Sequence, residues 1–152
     1  MARPTPPLTV LLIEDEAILV MDLEGMVADA GHQVIGDVAS IRELEQWDCD
    51  TAPDLVLIDV QLAEDTSGLD ASKIVKTRWT DSGIVFVTAN PTKVPKDHAG
   101  SFGVIAKPFS RQMMIETLAY LAQGICDPPP NRAAPNGFVA FSNFGADSGA
   151  NR

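Results

Sequence analysis

The chain has 152 residues, of which 45% are hydrophobic and 21% charged, and this suits a single globular domain with its own core. Its formal charge of −10 argues against nucleic acid or an anionic membrane surface as the main partner, because binding phosphate needs clustered Lys and Arg. No apolar run reaches the roughly 18 residues of a membrane span, and the opening "MARPTPP" lacks the apolar region of a secretory signal. We therefore expect a cytoplasmic protein in which Cys49 and Cys126 are reduced, structural thiols.

The first half of the chain alternates between strand and helix patterns. The apolar run "LTVLLI" (8–13) predicts a strand, and "HQVIGDVAS" (32–40) predicts a second one. Between them lies a helical pattern that ends at Gly31, since glycine readily takes the left-handed conformation after a helix. The apolar positions of this helix are Ile18, Met21, Leu23, Met26 and Val27. Ser40 and Glu43 fit a capping box, which predicts a short second helix.

The second half continues the same alternation. Residues 54–59, 83–89 and 102–107 predict three more strands, with a helix over 69–79 between the first two. Ser110 fits the N-cap of a last helix, "RQMMIETLAYLAQG". Five strands that alternate with helices predict βα repeats and a parallel sheet that is covered on both faces.

One repeat is irregular. The segment "NPTKVPKDHAGS", which joins the fourth and fifth strands, contains Pro91 and Pro95. Proline inside a helix costs about 3 kcal/mol and biases the residue before it away from the helical conformation. We therefore expect a short, distorted or mobile fourth helix.

The chain divides into an N-terminal lead (1–7), a domain (8–125) and a tail (126–152) rich in Pro, Gly, Asn and Ser. We expect the tail to be flexible. Its run "FVAF" (138–141) could add a strand or dock as a short peptide, but partial disorder is the favoured interpretation. Three aromatic residues recur at every third position and could anchor the tail to the domain or to a partner: Phe138, Phe141 and Phe144.

Polar side chains stand where the predicted strands end, and in an open parallel sheet ligands bind at that edge. The set is Glu14, Asp15, Asp59, Thr88 and Lys107. Each has an ordinary alternative: Asp15 or Glu16 could cap the first helix, Asp59 could cap a loop, Thr88 could be a simple strand residue, and Lys107 a surface lysine. Four strand ends that carry complementary groups favour a shared site.

The chemistry of this set is specific. Clustered carboxylates repel one another and need a cation, and all-oxygen ligands suit a hard ion such as Mg²⁺. Asp15 and Asp59 would supply two ligands, and a backbone carbonyl just beyond Asp59 a third. Lys107 and the hydroxyl of Thr88 would neutralise and bind a phosphoryl group, which leaves the Asp59 carboxylate as the nucleophile.

The motifs "LLIEDE", "LVLIDVQL", "VFVTAN" and "VIAKPF", in this order and spacing, resemble the receiver domain of bacterial two-component response regulators over residues 8–124. The resemblance implies a flavodoxin-like (βα)5 fold, a doubly wound parallel five-stranded sheet of order 2-1-3-4-5. It also implies that Asp59 accepts a phosphoryl group from a sensor histidine kinase or a histidine phosphotransfer protein.

The resemblance assigns the remaining site residues. Asp15, Asp59 and the backbone carbonyl of Gln61 would bind Mg²⁺, Glu14 would act mostly through water, and the Lys107–Pro108 bond would be cis. Gln61 and Asn90 would flank the phosphoryl group and set the rate of its hydrolysis. These two roles are expectations.

The sequence departs from the family pattern three positions before Lys107, where Val104 replaces an aromatic residue. The shortened fourth helix is thus a better candidate for the moving part. "MDLEGMVADAGHQVIG" and "DVQLAEDTSGLDA" are most similar to receivers that work with HWE-type histidine kinases, including the receiver half of general-stress anti-anti-sigma regulators.

The output is expected to be protein–protein contact. We expect a stand-alone receiver without a DNA-binding domain that is not a turnover enzyme, and that acts as a relay, a phosphate sink or a phosphorylation-controlled binder. Two alternatives remain open. One is a degenerate receiver that binds a partner without phosphorylation; the other is a phosphatase of the haloacid dehalogenase type, although Gln61 stands where that class needs a second acid.

Overall fold

The structure, a computed structural model, describes residues 5–48, 51–126, 128, 130, 133–142 and 144. Its strands are β1 Thr9–Ile13, β2 Gln33–Val38, β3 Leu55–Asp59, β4 Gly83–Thr88, β5 Gly103–Ala106 and β6 Phe138–Ala140. Its α-helices are α1 Ala17–Asp29, α2 Ile41–Gln46, α3 Gly68–Arg78 and α4 Arg111–Cys126. No helix of these residues is long and apolar enough to cross a membrane.

The sheet confirms the predicted class. Its order is β2-β1-β3-β4-β5-β6, and the pairs among the first five strands are all parallel. Successive side chains of a strand point to opposite faces, so the central strands supply two separate cores. One core packs against α1 and α4 and contains Leu12, Leu57 and Val85; the other packs against α2 and α3 and contains Leu11 and Val56.

The predicted helix caps are present with one difference. The Oγ of Ser110 accepts the Met113 N–H (3.0 Å), as expected for an N-cap. Ser40 Oγ accepts the Glu43 N–H (3.2 Å), but the Glu43 carboxylate accepts the N–H of Ala39 rather than that of Ser40. The capping box is therefore closed one residue further back than predicted.

Three of the five apolar positions predicted for α1 pack in the core, namely Leu23, Met26 and Val27, but the other two do not. Val20, Leu23 and Val27 are its buried residues, whereas Ile18 and Met21 are 78% and 69% exposed. The spacing of apolar residues on α1 admits two overlapping stripes, and packing on the sheet selects one of them. Ile18 and Met21 thus form an apolar surface next to the carboxyl edge of the sheet.

The irregular fourth repeat is confirmed. Between β4 and β5 the chain forms two single 3₁₀ turns, Pro91–Lys93 and His98–Gly100, in place of an α-helix. Asp97 and Ala99 have φ values of 59° and 52°, in the left-handed region that non-glycine residues avoid. We refer to residues 89–102 as the β4–β5 loop.

The favoured expectation of disorder in "FVAF" is wrong. Phe138–Ala140 pairs antiparallel with β5 as a sixth strand, in the register Gly103↔Ala140, Val104↔Val139 and Ile105↔Phe138. Antiparallel pairing is possible here because β5 would otherwise be the edge of the sheet, with its N–H and C=O groups unpaired. The predicted boundary at residue 126 stays a prediction.

The aromatic residues of the tail anchor it to the domain, as one of the two alternatives had it. Phe138, Phe141 and Phe144 are all buried. Cys49 and Cys126 are predicted to be reduced, structural thiols. Cys126 lies exposed at the end of α4, so its side chain is not part of the core, and Cys49 is outside the described residues.

Candidate functional site

The carboxyl edge of the sheet carries an open cleft of about 670 Å³. It is lined by the predicted residues Asp15, Asp59, Gln61, Thr88, Asn90 and Lys107. Glu14 follows β1 and is buried directly behind them. The parallel topology brings these residues together from positions far apart in the chain, because the ends of β1, β3, β4 and β5 all lie at one edge.

Asp59 is the last residue of β3 and is 7% exposed. Its Oδ2 accepts a hydrogen bond from Lys107 Nζ (3.0 Å), and its Oδ1 accepts the backbone N–H of Gln61 (3.1 Å). The second bond caps the loop after β3, as the ordinary alternative for Asp59 predicted, and Asp59 also lines the cleft. Two charge-assisted bonds of this kind offset the desolvation of a buried carboxylate.

Lys107 bridges two acids. Its Nζ donates to Glu14 Oε1 (3.1 Å) as well as to Asp59, and Glu16 lies 3.7 Å away. Burial of the ammonium opposes its charge, but the hydrogen bond and charge of Asp59, together with Glu14, outweigh burial and raise the pKa of Lys107. Lys107 is therefore a fixed cation at physiological pH.

The surroundings of Glu14 favour its neutral form. Its pKa is raised to about 7: burial, the largest cause, and the charge of Asp59 raise it, while the backbone N–H of Glu16 and Lys107 lower it. One ammonium does not neutralise the surrounding carboxylates. The site thus holds an excess of negative charge that a bound cation would relieve.

The ligand set fits a hard divalent ion. Glu14, Asp15 and Asp59 each place a carboxylate oxygen within 4.8 Å of the others, and Asp15 is exposed to the cleft. The donors are all oxygen, which suits Mg²⁺ rather than a softer metal. Gln61 lies beside this cluster, and the role of its carbonyl stays a prediction.

Thr88 ends β4 with its side chain buried. Its Oγ1 accepts the N–H of Asn90 (3.1 Å), which leaves the hydroxyl proton for a ligand in the cleft. Its carbonyl accepts the N–H of Lys107 (2.9 Å), so the two residues are held together. The Lys107–Pro108 peptide bond is cis, as the resemblance implied.

Val104 is not part of the cleft. It is buried in the middle of β5, where its partners across the sheet are Phe86 on β4 and Val139 on β6. Any effect of Val104 on the site must act through the packing of the sheet.

Sequence reasoning missed three neighbours of the site. Asp65 and Thr66 line the cleft from the loop after β3, and Gly68 packs so closely that a Cβ there would overlap the Asp59 carbonyl. Gly68 N–H donates to Val60 O (2.7 Å), which closes this loop against the strand. A glycine nine positions after the acid was a signal for this close approach.

This edge of a doubly wound sheet, with acids, a hydroxyl and a lysine, is the arrangement expected of a receiver. Residues 10–119 match the family described as the response regulator receiver domain. The chain therefore belongs to the family of response regulator receiver domains, and the resemblance drawn from the motifs is confirmed.

The chain is similar to proteins named PhyR. It is 38% identical to the phyllosphere-induced regulator PhyR of Methylorubrum extorquens over 66% of the chain and 38% of that protein. The solution structure of the PhyR REC domain of Erythrobacter litoralis has a TM-score of 0.67 and 29% identity, over 81% of this chain and 95% of that one. The anti-anti-sigma factor PhyR of Bartonella quintana has a TM-score of 0.59 and 32% identity, over 72% and 44%. The chain thus spans less than half the length of the first and third of these relatives.

Proposed function

We propose that the protein accepts a phosphoryl group on Asp59 in a Mg²⁺-dependent reaction and passes the signal on through protein–protein contacts. The observation that supports this most is the contact of one lysine with two acids: Lys107 Nζ donates to both Asp59 and Glu14 at the edge of an open cleft. The donor is the phosphohistidine of either a histidine kinase or a histidine phosphotransfer protein.

The transfer is a displacement at phosphorus. An oxygen of the Asp59 carboxylate forms a bond to phosphorus as the P–N bond of the donor phosphohistidine breaks, and the bonding pair stays on the imidazole nitrogen. The product is an acyl phosphate on Asp59. Asp59 can reach the donor because the cleft is open at its side chain, while β3 holds its backbone rigidly.

Charge neutralisation comes from the residues around Asp59. When bound, Mg²⁺ neutralises negative charge on the phosphoryl oxygens, and Asp15, Asp59 and Glu14 are the residues that would hold it. Lys107 neutralises more of this charge, and the Thr88 hydroxyl donates to a phosphoryl oxygen. Gln61 and Asn90 flank the position of the phosphoryl group and would control the access of water to it.

A protein partner suits the surface next to the cleft. Ile18 and Met21 are exposed on α1, and Ile18 lines a shallow depression with Lys107 and Pro108. An apolar surface beside a polar site is typical of contact with another protein. The similarity to the anti-anti-sigma factor PhyR agrees with the resemblance, drawn from the sequence, to receivers of HWE-type kinases, so we take such a kinase as the donor and a further protein as the output.

A receiver that binds its partner without phosphorylation is the second candidate. No observation on the described residues favours it, since all five predicted site groups are present and in contact or share the cleft. The phosphatase alternative is set aside because the chain belongs to the receiver family.

The test uses acetyl phosphate as a small phosphodonor with Mg²⁺. We expect intact-mass measurement to show one added phosphoryl group on the wild type and none on Asp59→Asn. The matched control is Asp70→Asn, an exposed acid in the first turn of α3, which should be phosphorylated normally. Phosphate on Asp59→Asn at another residue would show that the acceptor is wrongly assigned.

A further inference from the structure

The C-terminal aromatic residues form a defined structure on the outer edge of β5. We call residues 137–142 together with Phe144 the aromatic segment. Its backbone extends the sheet: Phe141 N–H donates to Phe102 O (2.7 Å), and Ala106 N–H donates to Gly137 O (3.1 Å). The edge that β5 would otherwise present is therefore covered by the chain itself.

Two glycines make room for the rings of the aromatic segment. A Cβ at Gly103 in β5 would overlap the Phe138 ring, and a Cβ at Gly124 in α4 would overlap the Phe144 ring. Glycine within a strand or a helix weakens that element. Their presence at these two positions is explained by the close contact with the aromatic rings.

The rings also contact one another and the domain. Phe144 packs against Tyr120 (5.1 Å between centroids) and Phe102 (5.1 Å), and Phe138 packs against Tyr120 (5.8 Å). Phe141 lies on the opposite side of the sheet, in the same core as Val104. The aromatic segment thus contributes to both cores.

Polar contacts tie the aromatic segment to the β4–β5 loop. The Asp97 carboxylate accepts both the N–H of Ser142 (2.9 Å) and its hydroxyl (2.5 Å). Asp97 itself has a left-handed φ of 59°, and Ala99 has one of 52°; this conformation is unfavourable for residues other than glycine. The contacts with Ser142 help to offset this strain.

The same loop begins in the candidate site. The N–H of Asn90, near its start, donates to Thr88 Oγ1. A second connection runs through β5, because Ala106, which bonds to the aromatic segment, directly precedes Lys107. A phosphoryl group that draws the Thr88 hydroxyl and Lys107 Nζ toward Asp59 would therefore pull on both connections.

We propose that the aromatic segment is an internal ligand that masks the edge of β5, and that phosphorylation of Asp59 releases it. This inference rests on the proposed function. Release relaxes Asp97 and Ala99 and leaves the N–H and C=O groups of β5 free. The uncovered surface then fits an extended strand of a partner protein that carries aromatic residues for the spaces at Gly103 and Gly124.

The direct test is amide exchange by NMR on the full chain with Mg²⁺, with and without beryllofluoride as a phosphoryl mimic. The reporters are the amides of Phe141 and Ala106. We expect beryllofluoride to shift the resonances of Asp59 and Thr88 and to speed exchange at both reporters by about 5- to 150-fold, the usual range of coupling between two sites.

Two variants separate docking from overall folding. Ser142→Ala removes the contact with Asp97 but no core atoms, and it should speed exchange at the reporters without beryllofluoride. Val139→Ala, in the same segment but with a side chain that is 57% exposed, should not. Because coupling is reciprocal, Ser142→Ala should also bind beryllofluoride more tightly than the wild type.

The outcomes are distinct. Shifted resonances in the cleft with unchanged exchange at Phe141 and Ala106 would overturn the release of the aromatic segment and leave the proposed function standing. No shift at Asp59 or Thr88 would overturn the proposed function, and the coupling with it. Slower exchange at the reporters would show that the mimic tightens the segment, which contradicts the proposal.

Discussion

Lys107 Nζ lies 3.0 Å from Asp59 Oδ2, although the two residues are 48 positions apart in the chain. Asp59 ends β3, and Lys107 follows β5. Strand β4 lies between these two strands, and because all three are parallel, their carboxyl ends meet at the same edge of the sheet. A buried carboxylate needs such a partner, since its desolvation costs several kcal/mol. Under the proposed function, the same contact would also hold Asp59 in place to receive a phosphoryl group.

Lys107→Gln should slow phosphorylation without unfolding the protein. The amide keeps a hydrogen-bond donor but removes the charge that would face the phosphoryl oxygens, so we expect the initial rate with acetyl phosphate to fall by about 10²-fold. Lys96→Gln, an exposed lysine of the β4–β5 loop, is the control and should react at the wild-type rate. Circular dichroism checks that both variants fold. A normal rate in Lys107→Gln would show that its charge is not used in the transfer.

Asp15→Asn should weaken Mg²⁺ binding and leave stability unchanged or slightly higher. Asp15 is an exposed member of the acid cluster, so its neutralisation relieves repulsion with Glu14 and Asp59 in the metal-free protein. We expect calorimetric titration to give a Mg²⁺ affinity at least about tenfold lower, which is 1.4 kcal/mol. Glu24→Gln, on the exposed side of α1, should bind Mg²⁺ as the wild type does. If Asp15→Asn and Glu24→Gln bind Mg²⁺ with the same affinity, the ion is bound at another site.

The fold could be predicted because its strands and helices have local sequence patterns, and the position of the site follows from the fold. Apolar runs gave the five parallel strands, and the groups at their ends, Asp59 and Lys107 among them, were placed at one edge by topology alone. The sixth strand could not be predicted in this way. Phe138–Ala140 is short and weakly patterned, and its pairing depends on a space at Gly103 that exists only once the domain has folded.

The exposed stripe of α1 shows a second limit of the sequence. Ile18 and Met21 have the same helical spacing as true core residues, and the pattern gives no reason to separate them. They are exposed because α1 packs on the sheet through its buried residues Val20, Leu23 and Val27. Close packing such as that of Gly68 against Asp59 likewise depends on the three-dimensional path of the loop.

Stability should fall as the pH is lowered below about 6.5 because of His32. Its Nδ1 accepts the N–H of Leu8 (2.9 Å), which requires the neutral ring, and burial lowers its pKa from the ordinary value of 6.5. The unfolded chain therefore binds a proton more readily than the folded one, so this contribution is complete above pH 6.5 and is lost as the pH falls through the lower folded value.

Urea unfolding of the wild type and His32→Gln at pH 8.0 and 5.5 isolates this effect. Glu14 titrates in the same range with the opposite sign, because a raised pKa lets the folded state hold the proton more tightly. It is present in both proteins, so the difference between them reports His32. We expect the variant to lose less stability than the wild type on acidification. If both proteins lose the same free energy of unfolding between pH 8.0 and 5.5, protonation of His32 does not contribute to the pH dependence.

Gly124→Ala and Gly25→Ala form a matched pair that measures the packing of the aromatic segment. Both glycines lie within helices, where alanine is favoured by about 1 kcal/mol. A Cβ at Gly25 meets nothing within 4 Å, so Gly25→Ala should raise the free energy of unfolding by about that amount. A Cβ at Gly124 overlaps the Phe144 ring, so Gly124→Ala must displace the ring and should be neutral or destabilising. Urea denaturation measures both, and equal stabilisation by the two substitutions would show that Phe144 does not pack on α4 in solution.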